Sequence, residues 1–231
     1  MIIYGKNTVK EAVIAKRPVY KVYLDEKKPD HKLNHFLEQA QIKYQLVSKH
    51  ELNQLTDNQN HQGIVADVKA YGYEDISILF DGTKKKVLIL DQIEDPHNLG
   101  AILRSVEATK IDAVILPKNR SADLTPTVAK TAVGAIEYVK VIQVGNINQT
   151  IQKLKDNGFW IVGTDMHAEK TYKEIDTSVS VAVIIGNEGE GMTYLTKQSC
   201  DYLVRIPMKG KVNSLNASVA AALILYQIAD L

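Results

Sequence analysis

The stretch Val181-Ala182-Val183-Ile184-Ile185-Gly186-Asn187-Glu188-Gly189-Glu190-Gly191-Met192 decides the fold class. Its first five residues are all apolar, and they run straight into a glycine-rich turn that carries two carboxylates. A short run that is apolar at every position has no solvent face. It suits a strand buried on both sides, the setting of a parallel sheet. Runs of the same kind stand at 87–90, 113–116 and 160–163, and 202–206 predicts a further strand. Helical spacing fills the gaps at 99–109, 127–135, 147–157 and 217–229. This alternation predicts an α/β fold, an open parallel sheet with crossover helices. Ligands of such sheets gather outside the carboxyl ends of the strands. The informative residues are therefore 91–98, Thr164-Asp165, 186–191 and 207–216.

Upstream, the chain reads as a smaller α/β unit. A helix over 9–15, with Asn7 or Thr8 as its cap, precedes a strand at 20–24. A helix at 31–41 follows, with Leu33, Phe36, Leu37 and Ala40 at helical spacing. A strand at 44–47, a helix near 49–55 and a strand at 63–68 complete the unit. Gly72, Glu74-Asp75, Gly82 and Lys84-Lys85-Lys86 read as a linker. The expected division is 1–70 for the small domain, 71–85 for the linker and 86–231 for the large domain.

Composition narrows the function classes. The 231 residues are 45% hydrophobic and 24% charged, enough apolar material for a core. The formal net charge is +1, so no basic imbalance announces nucleic acid. RNA contact would rest on local clusters such as Lys84-Lys85-Lys86, Lys118 with Arg120, or Lys209 with Lys211, each of which also reads as a solvated loop. Cys200 is the only cysteine, which excludes an intrachain disulfide and a thiolate metal cage and suits a reducing compartment. The start of the chain lacks the apolar run of a signal peptide. No apolar run approaches the roughly 18 residues of a membrane span. The expectation is a soluble cytoplasmic protein without metal.

Three segments carry candidate chemistry. The glycine loop at 186–191 lets backbone amides approach a ligand. A dinucleotide site is a poor alternative, because the glycines run Gly-x-x-Gly-x-Gly and the two carboxylates would repel a pyrophosphate. A glycine turn without ligand stays open on this loop alone. In the second segment, Asp95 to Arg104, Asn98 is a helix cap by residue type, and Arg104 could approach the start of the same helix. The third segment, Ile206 to Ser218, brings Ser214, Asn216 and Ser218 to one loop–helix junction, more small polar residues than one cap requires.

In this order the segments resemble the three signature motifs of the SpoU/TrmH RNA methyltransferases: Asn98-x-Gly100-x-x-x-Arg104; Gly186-Asn187-Glu188-Gly189-x-Gly191-Met192; and Ile206-Pro207-Met208 leading to Ser214-Leu215-Asn216-Ala217-Ser218. Ile3-Tyr4-Gly5-x-Asn7-x-Val9-x-Glu11-Ala12 and His61-Gln62-Gly63 are similar to the small RNA-binding domain, itself like ribosomal protein L30e, of members that modify large-subunit ribosomal RNA. The resemblance implies a deep trefoil knot in the large domain. It also implies a homodimer with active sites completed across the interface, and S-adenosylmethionine as cofactor.

By the same resemblance, Thr164, Gly186, Asn187, Ile206, Met208 and Leu215 hold the cofactor, largely through backbone groups. Asn98, Glu188, Ser214 and Asn216 shape the site and orient the ribose, and Arg104 is the family's nominee for the base. A guanidinium stays protonated in proteins, so the role expected of Arg104 is to bind an adjacent phosphate and favour the developing alkoxide. The expected substrate is a guanosine 2′-hydroxyl in the peptidyl-transferase loop of 23S ribosomal RNA, presented as naked RNA or as a ribosomal precursor. A tRNA ribose methyltransferase and a non-catalytic knotted assembly factor are the alternatives. Intact Asn98, Arg104, Glu188 and Asn216 favour an enzyme.

Overall fold

Apolar alternation along the first 70 residues builds one sheet, and the wholly apolar runs beyond them build another. The computed structural model describes residues 1–187, 189, 191–211 and 214–231. It divides into two units, Met1–Tyr71 with Leu124–Tyr138, and Gly72–Asp123 with Val139–Leu231.

The first unit begins with β1 (Ile2–Tyr4), α1 (Lys6–Ile14), β2 (Val19–Asp25), α2 (His31–Gln39), β3 (Tyr44–Val47), α3 (Lys49–Leu55) and β4 (Ile64–Val68). The sheet order is β1-β4-β2-β3; β4 runs antiparallel to β1 and β2, and β3 runs parallel to β2. Ile64, Val65, Ala66 and Val68 are fully buried, as a central strand requires. The side chains of Asp30 and Ser48 cap α2 and α3 by accepting the Leu33 and Glu51 N–H groups. Helix α1 starts earlier than expected: Gly5 (φ 95°) turns the chain into it, so Asn7 and Thr8 lie inside the helix rather than at its cap.

Further along come β5 (Lys86–Leu90), α4 (Pro96–Thr109), β6 (Ala113–Pro117), α5 (Pro126–Thr131), β7 (Val141–Val144), α6 (Ile147–Asp156), β8 (Trp160–Thr164), β9 (Lys170–Thr171), β10 (Val181–Ile185), α7 (Tyr194–Ser199), β11 (Tyr202–Arg205) and α8 (Ala217–Ala229). The seven strands form one parallel sheet in the order β7-β6-β5-β10-β8-β11-β9. The opening stretch of the sequence, β10, is its central strand and is buried along its whole length. Ile89, Ile115, Ile161 and Ile184 share a core with Ile151 and Leu154 of α6. Helices α4 and α8 pack on each other, and α8 lies against β5 and β10.

Two structural differences from the expectation have clear causes. The expected linker contains a 3₁₀ turn at Ile76–Leu79, capped by Asp75, whose side chain accepts the Ser77 N–H at 2.9 Å. Leu79 is buried, and Ile76, Ile78 and Phe80 pack on the core of the second unit. These apolar side chains turn residues 76–80 into a packed strap. The large domain is also interrupted: Leu124–Tyr138, between β6 and β7, belongs to the first unit. Helix α5 lies against β1. The buried Glu137 carboxylate accepts from Arg17 Nε at 2.7 Å and from the Tyr71 hydroxyl at 2.7 Å, and the Arg17 guanidinium stacks on the Tyr71 ring at 3.9 Å. Burial and the neighbouring Glu137 carboxylate push the Tyr71 phenol far above its ordinary value. The edge strands β7 and β9 went unread because they are short and partly polar, without the continuous apolar signal of the centre.

Candidate active site

A cavity of about 350 Å³ opens beyond the carboxyl ends of β8, β10 and β11 in the second unit. Its wall includes Thr164, Gly186, Asn187, Ile206, Met208, Ser214 and Leu215, so seven of the eleven predicted site residues converge there from three separate loops. The volume falls within the range of small-molecule sites, about 300–1,000 Å³.

The glycine loop is held closed by its own backbone. The Asn187 N–H donates to Gly191 O at 3.2 Å, and the Gly191 N–H donates back to Asn187 O at 2.9 Å. The Asn187 side chain accepts the Gly189 N–H at 2.8 Å and donates from Nδ2 to Gln92 O at 3.1 Å, tying the loop to the chain just after β5. Gly186 is there because two backbone segments meet: a Cβ at this position would stand 2.3 Å from both Gly191 C and Met192 N. The Thr164 hydroxyl donates to Ile184 O at 3.0 Å, which pins the end of β8 to β10.

The cavity floor is apolar, with Ile185, Val204, Ile206, Leu215, Ala217 and Ala220, and one wall is charged. There Asp165 pairs with Lys197 at 2.5 Å and accepts the His167 N–H at 2.8 Å. Burial raises the Asp165 carboxyl, but Lys197 and the His167 N–H outweigh it and hold the group below its usual range. Arg205 donates to Ala168 O at 2.7 Å from the same side. Sequence reasoning pointed to Asp165 by its place after a strand but missed Lys197 and Arg205. Lys197 sits in α7, a short helix with no motif, and Arg205 looks like an ordinary strand residue.

Beside the cavity, the first and third motifs touch. Asp95, rather than Asn98, caps α4, accepting the His97 N–H at 2.8 Å, with Pro96 in the first helical turn. An Asp-Pro start satisfies an orphan donor and presets the helical φ. Asn98 then falls inside the first turn, where its Oδ1 accepts from Asn216 Nδ2 at 2.9 Å. Asn216 is also the cap of α8: its Oδ1 accepts the Ser218 N–H at 3.0 Å, the Val219 N–H at 3.4 Å and the Ser218 hydroxyl at 2.5 Å. One side chain thus starts α8 and bridges to α4. Arg104 is exposed on α4, away from the cavity wall. Glu188 lies outside the described residues. Among the described residues no cluster of side chains could hold a metal, and no helix is long and apolar enough to cross a membrane.

Comparison with known proteins agrees with this geometry. The SpoU rRNA Methylase family matches residues 85–226, and the domain family described as RNA 2′-O ribose methyltransferase substrate binding matches residues 2–74. A Staphylococcus aureus (strain COL) protein described as a TrmH family tRNA/rRNA methyltransferase is 45% identical over 98% of this chain and 94% of its own. Among solved structures, an RNA 2′-O ribose methyltransferase superposes with a TM-score of 0.82 at 26% identity, over 100% of this chain and 88% of that one. The SpoU methyltransferase AviRb from Streptomyces viridochromogenes, solved with AdoMet, gives 0.83 at 23% identity, over 100% and 89%, a likeness of fold. With the family match over residues 85–226, the second domain match over residues 2–74 and a 45% identical relative along nearly its whole length, the chain belongs to the SpoU rRNA methylase family.

Proposed function

We propose that this chain transfers the methyl group of S-adenosylmethionine to a ribose 2′-hydroxyl of RNA, most specifically a guanosine of 23S ribosomal RNA. The observation that carries the reading is the convergence of the motifs: Gly186, Asn187, Gly189 and Gly191 line one cavity with Ile206, Met208, Ser214 and Leu215, and the Asn98–Asn216 bond draws the first motif to its edge.

The cavity fits the cofactor by its chemistry. The apolar floor of Ile185, Ile206 and Leu215 suits an adenine ring, and Gly186 removes the side chain that would block backbone approach. Asp165, Lys197 and Arg205 supply both signs of charge for an amino-acid moiety. When bound, the cofactor supplies a methyl already activated on a sulfonium, so the protein's task is positioning and proton removal. The Asn98–Asn216 pair orients the ribose at the cavity mouth. Ser214, on the wall, offers a hydroxyl to the same sugar. Arg104 holds the adjacent phosphate and stabilises negative charge developing on the 2′-oxygen.

Arg104 does not line the cavity of its own chain, which supports active sites completed by a second copy. The buried face of α8 is Ala217, Ala221, Ile224, Leu225 and Ile228, yet Val219, Leu223 and Tyr226 on its other side are exposed. That apolar stripe supports a homodimer through α8. The trefoil knot and a cytoplasmic location belong to the same reading.

The test is methyl transfer from labelled S-adenosylmethionine to total RNA of a strain lacking the gene, with the labelled nucleotide identified. Labelled 2′-O-methylguanosine in 23S rRNA is expected. Label confined to tRNA would replace the ribosomal target by the tRNA alternative. Absence of transfer to naked RNA and to ribosomal precursors alike would leave a binding factor.

A further inference from the structure

Two of the chain's four methionines stand in the wall of the cofactor cavity. Met166 comes from the loop after β8 and Met208 from the loop after β11, and these strands are parallel neighbours in the sheet. They are the most exposed apolar residues of that wall. Met166 is 51% and Met208 40% exposed, whereas Ile185, Val204 and Ala217 of the floor are buried. Met192, just after the glycine loop, is the opposite case. It is 3% exposed and packs in the core, where a Cβ on Gly163 would stand 2.6 Å from its Cε. Met1 belongs to the first unit and takes no part in the wall.

The backbone that carries Met166 is fixed from several sides. The Asp165 N–H donates to Val204 O at 2.9 Å, the Ala168 N–H donates to Asp165 O at 3.2 Å, and Arg205 donates to Ala168 O at 2.7 Å. The Asp165–Lys197 pair ties the same loop to α7. A chemically altered Met166 therefore stays at the wall unless these bonds break. Met208 is fixed more simply: it follows Ile206 of the cavity wall across Pro207, whose ring presets φ. A thioether is a flexible apolar filler, but its sulfoxide is polar and chiral.

We infer that Met166 and Met208 form an oxidation site at the lip of the cofactor cavity, where a peroxide converts both thioethers to sulfoxides and so weakens S-adenosylmethionine binding. In each step a sulfur lone pair attacks one oxygen of hydrogen peroxide. An S–O bond forms as the O–O bond breaks, and the departing hydroxide takes the proton of the transferred oxygen. Sulfur loses two electrons, the peroxide gains them, and the products are one sulfoxide and one water. The new oxygen is an acceptor beside a floor of Ile185, Val204, Ile206 and Leu215, whose side chains donate nothing. Two cations of the wall are already engaged, Lys197 by Asp165 and Arg205 by Ala168 O. A cofactor entering the cavity would strip water from the sulfoxide without replacing its hydrogen bonds. Cys200 is a poor competitor for peroxide, because burial pushes its thiol up to about 12 and leaves little thiolate. Methionine sulfoxide is reversible by its reductases, so the site can be switched back. The inference rests on the reading of this cavity as the cofactor site.

The test treats the whole protein with hydrogen peroxide in steps, with and without S-adenosylmethionine. Peptide mass mapping follows the oxygen added at each methionine, while isothermal titration follows cofactor affinity and thermal unfolding follows stability. Met166 and Met208 should oxidise well before Met192, and bound S-adenosylmethionine should protect both. Affinity should fall by roughly tenfold or more at an unchanged melting temperature, and methionine sulfoxide reductase should restore it. A protein carrying Met166→Leu and Met208→Leu, compared with its own untreated state, should lose less than about twofold on the same treatment. Oxidation of Met192 as early as the other two would overturn the inference, and so would full affinity with both sulfoxides formed. Loss of affinity that persists after the reductase has removed both sulfoxides would overturn it as well. Untreated protein that binds no S-adenosylmethionine would instead defeat the functional reading, while the mapping would still decide the order of oxidation.

Discussion

Replacing Gly186 by Ala tests the cofactor site most directly. The added Cβ would stand 2.3 Å from Gly191 C and Met192 N and 2.6 Å from Gly191 O, against an ordinary contact of 3.4 Å or more. All three neighbours are backbone atoms, so no side chain can swing aside. One strand of the loop must move by about 1 Å, against the reciprocal Asn187–Gly191 hydrogen bonds. Overpacking of this kind costs about 1–3 kcal/mol. If that cost falls on the cofactor-binding form, affinity drops by about five- to 140-fold, at 1.4 kcal/mol for each factor of ten. Isothermal titration with S-adenosylmethionine, beside thermal unfolding, measures the drop and separates it from global destabilisation. Gly145→Ala is the control, since a Cβ there meets nothing within 4 Å. Binding within twofold of wild type and an unchanged melting temperature in Gly186→Ala would refute the argument that close backbone approach at Gly186 shapes the site.

Three further outcomes are expected. Asn216→Ala removes both the α8 cap and the bridge to Asn98 and should cost about 0.5–2 kcal/mol of stability. Asn216→Asp keeps the cap but loses the Nδ2 donor, so its turnover should fall while its denaturation midpoint holds; equal turnover would show that the bridge is not needed. The Asp165 carboxyl is held below its unfolded value, so its contribution to stability is present above that value and is lost as pH falls through the folded one. Lys197→Met removes the main depressing partner and leaves the burial, so acid unfolding should start at higher pH, as followed by circular dichroism. Finally, Leu223→Glu places a charge in the exposed stripe of α8 and should shift sedimentation from dimer to monomer, while a wild-type protein already monomeric would remove the shared-site reading.

The sequence announces those parts of the fold that rest on local chemistry. The buried strands β5, β6, β8 and β10 read as apolar runs because both of their faces must be dry. Helix α8 begins where its cap residue stands, at Asn216. The cavity at the strand ends follows from the architecture, and its glycine loop follows from a spacing that no side chain could tolerate at Gly186. The cap of α4 was misplaced because Asp95-Pro96 and Asn98 are both good starts by residue type, and only the position of Asn216 shows that Asn98 has another partner.

What tertiary structure alone decided is which distant groups meet. Lys197 reaches Asp165 because α7 passes the end of β8, and no local pattern carries that information. The strap at Ile76–Leu79 looked like a tether until its apolar residues found a surface to bury against. The assignment of Leu124–Tyr138 to the first unit depends on Glu137 meeting Tyr71 and, across more than half the chain, on Glu137 meeting Arg17 and Lys130 meeting Gly5. Apolar periodicity and turn chemistry are properties of neighbouring residues and can be read along the chain. Ion pairs and close approaches between remote segments come into being only when the chain has folded.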